Sequence, residues 1–91
     1  MAMTREEHLL TILAEECSEV AQRCSKALRF GLDEVQPGQT LNNCERINQE
    51  LSDLMTVVHM LNLPTPAPSL QKGDKIKKFF ELSLRVGTLD A

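Results

Sequence analysis

Two pairs of acids stand where a helix would ordinarily carry apolar side chains: Glu16 with Glu19 in LLTILAEECSEVAQ, and Glu50 with Asp53 in INQELSDLMTVV. The members of each pair are three residues apart. On an α-helix that spacing is about 60° around the axis and about 4.5 Å along it, so each pair projects from one patch. Carboxylates set within an apolar stripe cost stability unless something compensates them. If the two helices lie antiparallel, the patches face each other and four carboxylates meet in one pocket, where their mutual repulsion would oppose folding. Protonation or cations must then intervene. An all-oxygen ligand set with no His or Cys beside it suits Mg²⁺, or Mn²⁺, better than zinc or copper. Glu15 either adds a further oxygen or is simply solvated. ExxE pairs are common on solvated helix faces; what singles these out is that two of them, on consecutive helices, each interrupt an apolar stripe.

The elements that must carry these acids are legible from capping and periodicity. Thr4 followed by Glu7 reads as a capping box, and Leu9, Leu10, Leu13, Val20, Ala21, Cys24, Ala27 and Leu28 recur at helical spacing, which predicts a first helix from about residue 5 to about 30. Gly31 stops it, with Lys26 and Arg29 near the end, where cations suit the helix dipole. LDEVQPGQT, from Leu32 to Thr40, is a loop around the turn signal Pro37-Gly38. Asn42 or Asn43 caps the next helix, and Glu45 completes a box if Asn42 is the cap. Ile47, Leu51, Leu54, Met55, Val58 and Leu61 mark this second helix, from about 43 to about 62, antiparallel to the first. Pro64, Pro66 and Pro68 make residues 63–69 an extended connector. A third helix is expected from about 70 or 74 to 86, with Gly73 as a weak point near its start.

Ninety-one residues with three Phe, no Tyr and no Trp make one small domain with few large side chains for a core, so self-association is expected. An apolar content of 42% and a charged content of 25% are ordinary for a folded chain. The net charge of −3 divides unevenly: residues 1–62 hold ten acids against five bases, and residues 63–91 hold three against five. No dominant basic surface and no aromatic platform favours nucleic acid. Three cysteines without CxxC spacing, Cys17, Cys24 and Cys44, fit small apolar fillers in a reducing compartment. No leader or membrane-spanning run is evident, and a cytoplasmic location without membrane association is expected. His8 and His59 read as helix surface.

The pattern EExxE at Glu15-Glu16-Cys17-Ser18-Glu19, followed by ExxD at Glu50-Leu51-Ser52-Asp53, resembles the MazG-like branch of the all-α nucleoside triphosphate pyrophosphohydrolases, and SKALRFG at Ser25–Gly31 is similar to the short single-domain members. The likeness covers about residues 8 to 63. Thirty residues separate Glu19 from Glu50, slightly more than in many members, and the Pro37-Gly38 loop absorbs the excess. The resemblance implies an all-α domain of three helices that completes a bundle as a homodimer or tetramer. It further implies that Glu16, Glu19, Glu50 and Asp53 hold Mg²⁺ and act in catalysis, and that a nucleoside triphosphate is hydrolysed between its α and β phosphates to a monophosphate and pyrophosphate, in sanitation or balance of the nucleotide pool. Water would be the nucleophile, and no protein nucleophile or phosphate-cradling glycine loop is offered by the sequence. Lys26 and Arg29, further along the first helix, are candidates for phosphate contact, and Lys72, Lys75, Lys77 and Lys78 could close over a triphosphate or form a solvated face. The competing expectations are a helical binding or dimerisation module with a residual cation site, and a relative acting on phosphoribosyl-ATP or dUTP.

Overall fold

Helix α1 spans Arg5–Phe30, α2 spans Asn43–Met60 and α3 spans Leu70–Val86, with no strand among the described residues. The structure is a computed structural model and describes residues 2–90. Each helix starts on a side-chain cap. At α1 the Thr4 hydroxyl accepts from the Glu7 N–H and the Glu7 carboxylate accepts from the Thr4 N–H, both at 3.1 Å. These bonds satisfy two donors the helix cannot satisfy itself, and they hold the Glu7 carboxyl below its ordinary pKa. The same reciprocal pair forms at α2, where Asn42 Oδ1 accepts from the Glu45 N–H at 2.8 Å and Glu45 Oε1 accepts from the Asn42 N–H at 3.1 Å. At α3, Ser69 Oγ accepts from the Lys72 N–H at 3.1 Å, so the helix begins at Leu70 and runs through Gly73.

The ends are equally local. Gly31 leaves α1 at φ 98°, a conformation glycine adopts without strain, while its N–H donates to the Ala27 carbonyl at 2.8 Å. The α2 helix stops at Met60, slightly before the expected end near residue 62. There Asn62 turns left-handed at φ 58°, its N–H donates to His59 O at 3.0 Å, and the Leu63 N–H donates to Val58 O at 3.2 Å. That is a Schellman stop with asparagine in the left-handed position. The connector beyond it carries the prolines and has no regular structure.

Helices α1 and α2 pack as an antiparallel hairpin: Asn43 at the start of α2 meets Gly31 at the end of α1, and Glu50, about two turns further along α2, meets Arg23. The seam between them has three parts. Leu9, Val57 and Val58 are buried at the open end, half-buried Glu16, Arg23 and Glu50 occupy the middle, and Asn43 is sealed at the hairpin end with 1% of its surface exposed. Asn43 Nδ2 donates to Gly31 O at 2.8 Å and Glu34 Oε1 at 3.4 Å, and the Asn43 and Cys44 N–H groups donate to Glu34 O and Leu32 O. The loop expected to be irregular is thus tied down, with a single antiparallel bridge between Val35 and Asn42.

Helix α3 makes no packing contact with α1 or α2. It is nevertheless amphipathic: Ile76, Phe79, Phe80 and Leu84 fall within one arc of about 140°, and Asp74, Lys77, Lys78, Glu81 and Arg85 fall on the other side. All four apolar residues are exposed. The accessible surface of 7509 Å² exceeds the roughly 5,300 Å² usual for a folded 10.2 kDa chain. The radius of gyration, 16.9 Å, likewise exceeds the roughly 12 Å of a compact chain of this length. Cys17, Cys24 and Cys44 are free and exposed, which corrects their expected place as fillers: the core is too small to reach the faces of α1 and α2 on which they lie. No helix is long and apolar enough to cross a membrane among the described residues.

Replacing Asn43 with Ala removes, from a sealed position, the side-chain donor to the Gly31 carbonyl. Denaturant unfolding should show a loss of about 1–3 kcal/mol. Asn43→Asp should cost at least as much, because it sets a buried charge beside Glu34.

Candidate functional site

The register of the hairpin decides which acids meet. Oxygens of Glu16 on α1 and of Glu50 and Asp53 on α2 lie within 4.8 Å of one another. Glu16 and Glu50 are half-buried in the seam and Asp53 is exposed at its rim. The sequence placed four acids in this group and the structure assembles three. Glu19 stands half-buried one turn further along α1 and, with exposed Glu15, lines an open depression on that helix beside Thr11, Ala14, Ser18 and Gln22. Both remain near enough to act on Glu16 through space.

Glu16 bears the strain of the arrangement. Its Oε2 is cut off from solvent and has no hydrogen-bond partner. Desolvation pushes its pKa above the ordinary carboxylate value, and the charges of Asp53, Glu50, Glu19 and Glu15 push it the same way, in that order. A carboxylate oxygen without water or donor, facing two further carboxylates, is a group in need of a proton or a cation. Octahedral Mg²⁺ holds oxygens at about 2.0–2.1 Å, which puts neighbouring ligands about 3 Å apart and opposite ones about 4.2 Å apart. Oxygens within 4.8 Å of one another lie close to those separations. The residues therefore fit a hard divalent cation on donor chemistry and spacing, with Glu16, Glu50 and Asp53 as the ligands at hand.

One participant escapes sequence reasoning. Arg23 Nε lies 3.8 Å from Glu50 Oε1, the one ion pair among the described residues, and each of the two side chains is 16% exposed. Nε and Nη1 of Arg23 are shielded from solvent and make no hydrogen bond. The available signal was position: Arg23 comes seven residues after Glu16 and four after Glu19, so it lies on the same stripe of α1 as the acids.

The other expected contacts are not gathered here. Lys26 is half-buried further along α1, and Arg29 is exposed at the end of the helix, its guanidinium 5.1 Å from the Phe30 ring centroid. Lys72, Lys75, Lys77 and Lys78 belong to α3, which touches neither helix of the hairpin. His8 and His59 are exposed on their helices, as expected, and Asn42 and Asn43 are engaged in capping and in holding the loop. With the hairpin and its acid group described, comparison with known protein families, curated proteins and solved structures found no match.

The raised pKa of Glu16 has a definite sign. Well below the ordinary carboxylate value both folded and unfolded chains hold the proton and Glu16 costs nothing; as pH rises through the raised folded value, its charge develops in an unfavourable site and folding stability falls. In the absence of divalent cation, wild type should therefore lose thermal stability relative to Glu16→Gln as the pH is raised from the ordinary value of 4.5 to a higher one. Added Mg²⁺ should raise the melting temperature of wild type more at the higher pH, and Glu16→Gln should respond little. Melting curves across the two pH values with and without Mg²⁺ check both statements.

Proposed function

We propose that this chain is a Mg²⁺-dependent nucleoside triphosphate pyrophosphohydrolase that cleaves the α–β phosphoanhydride to a nucleoside monophosphate and pyrophosphate. The observation that carries the reading is the meeting of Glu16, Glu50 and Asp53 within 4.8 Å across the hairpin, joined to the resemblance of EExxE and ExxD to MazG-like pyrophosphohydrolases. Bound to these oxygens, Mg²⁺ would neutralise phosphate charge and lower the barrier to attack by water. The chain's own task is to hold the acids in register and to take the proton that water releases. Water oxygen bonds to the α phosphorus, the α–β bridging bond breaks, pyrophosphate departs, and the proton passes to a carboxylate of the group. In this reading Glu16, half-buried beside Glu50 and Asp53, is the proton acceptor. Glu19 belongs to the same reading as a ligand reached by a change of rotamer from its present flank.

The reading includes a second copy of the chain. The surface in excess of a compact monomer is about 2,200 Å² per subunit, well above the roughly 800 Å² each partner contributes to a standard interface. The apolar arc of α3 has no cover within the subunit. An open apolar groove formed by Cys24, Ala27, Leu28, Leu32 and Ile47 lies at the hairpin end of the same subunit. Two copies exchanging these faces would build the bundle that one chain lacks, as a homodimer or a dimer of dimers. Such an assembly would bring basic residues of α3 toward the acidic hairpin of the partner.

Glu50→Gln should reduce pyrophosphate release from a panel of nucleoside triphosphates by more than about 100-fold while circular dichroism stays unchanged; full activity in that variant would overturn the assignment. Mg²⁺ uptake with no release of pyrophosphate from any nucleotide would leave a cation-stabilised dimerisation module. For the assembly, the double change Phe79→Asp and Phe80→Asp should shift the mass seen by light scattering from an oligomer to the 10.2 kDa monomer. A wild-type chain that is monomeric at tens of micromolar would remove the second copy from the account.

A further inference from the structure

Arg23 is a cation whose donors are not satisfied where it stands. A guanidinium offers five N–H groups in a rigid fork suited to planar oxygen acceptors. Its contact with Glu50 is 3.8 Å, an electrostatic contact beyond hydrogen-bond length. Nε and Nη1 are shielded from water and have no acceptor, a costly state for charged donors. The fork is therefore set beside the acid group without being used up by it. Its one ionic neighbour, Glu50, is also a member of the three-carboxylate group.

Those facts put Arg23 and a divalent cation in competition for Glu50. A cation that draws on the Glu50 carboxylate withdraws the negative charge that Arg23 faces and adds a positive one nearby. The guanidinium then needs an anion, and a phosphate oxygen held by the same cation is the acceptor whose geometry the fork matches. Arg23 stands two turns of α1 beyond Glu16, about 10.5 Å along the axis, and its side chain reaches back to the acid group at Glu50.

We infer that Arg23 exchanges partners: it neutralises Glu50 in the cation-free site and becomes a phosphate ligand for a phosphoanhydride once the divalent cation is bound. The inference rests on the cation-dependent reading of the acid group. It goes beyond that reading by assigning two opposite effects to one side chain. Removing Arg23 frees Glu50 and favours the cation, and the same removal deprives the phosphate of a ligand.

Calorimetric titration of the full chain with Mg²⁺ alone, and with inorganic pyrophosphate at saturating Mg²⁺, reads both effects. Arg23→Met should tighten Mg²⁺ binding about 3- to 10-fold and weaken pyrophosphate binding at least 10-fold. Arg23→Lys should keep part of the pyrophosphate affinity, because it preserves the charge and loses the fork. Arg5→Met, the same charge change at the exposed start of α1, should alter neither affinity. Parallel loss of both affinities in Arg23→Met, or no change in either, overturns the exchange. Should Arg23→Met not fold, the Lys variant decides: undiminished pyrophosphate affinity there overturns it. Failure of the underlying reading looks different: wild type then takes up no Mg²⁺ at all, and the exchange falls with it.

Discussion

Two helices can lie together along their whole length only if the charge at the middle of their seam is balanced, and in this hairpin that balance is incomplete. Glu16 and Glu50 are half-buried where apolar side chains would normally interlock, Asp53 adds a third carboxylate at the rim, and one arginine at 3.8 Å is the countercharge. The apolar part of the seam is small, since Leu9, Val57 and Val58 are its fully buried members among the described residues. Burying such a side chain contributes about 1.5–3 kcal/mol, so three of them leave little reserve against repulsion elsewhere in the seam. The orphaned Glu16 Oε2 and its raised pKa are the local signs of that deficit.

In the proposed reading this deficit has a use: a site preloaded with unfavourable negative charge gains most from a positive ligand, and cation binding would then be linked to folding stability through the same three side chains. The acid group also reaches the surface at its rim, where Asp53 is exposed while Glu16 Oε2 is shielded. The proposed phosphate chemistry would suit such a place, because its substrates bring the cation with them and its transition state spreads charge over oxygens that metals and guanidinium forks hold well. Arg23 makes the middle of the seam a site of mixed charge, and that composition is what a cation–polyphosphate pair would meet.

The hairpin and α3 obey different rules of stabilisation. Capping boxes, a buried asparagine and tied-down loop residues fix the hairpin from within. The α3 helix has an equally good cap and stop, at Ser69 and Gly87, and no tertiary contact with the rest. Its length is in the range where an isolated helix is marginal in water, and its apolar arc is uncovered by the rest of the chain, which is the observation behind the proposed second copy. The charge along the chain is uneven too, an acidic hairpin and a basic third helix joined by a proline connector.

The starts of α1 and α2, the Thr4 cap and the antiparallel order could be read from the chain alone, because capping is settled within three or four residues and helical periodicity within a few turns; the choice of Asn42 over Asn43, and of Ser69 and residue 70 as the start of α3, came from the structure. Thr4 with Glu7 and Asn42 with Glu45 formed the expected pairs for that reason. The stop of α2 was less legible, since it depends on Asn62 adopting a left-handed conformation that few residues but glycine favour. The acids themselves were visible as interruptions of an apolar stripe. Which of them meet was not: that depends on how the two helices are rotated and aligned, and the burial of Leu9 at one end and the bond from Asn43 to Gly31 at the other fix that alignment over distances no local pattern encodes. The tertiary structure therefore chose Glu16, Glu50 and Asp53 over Glu19, turned Arg23 inward, and left the cysteines and α3 in the open. The sequence by itself determined the helices and the presence of acids in their stripes, because those arise from short-range hydrogen bonding and periodicity; only packing across the seam decided which charges share a site.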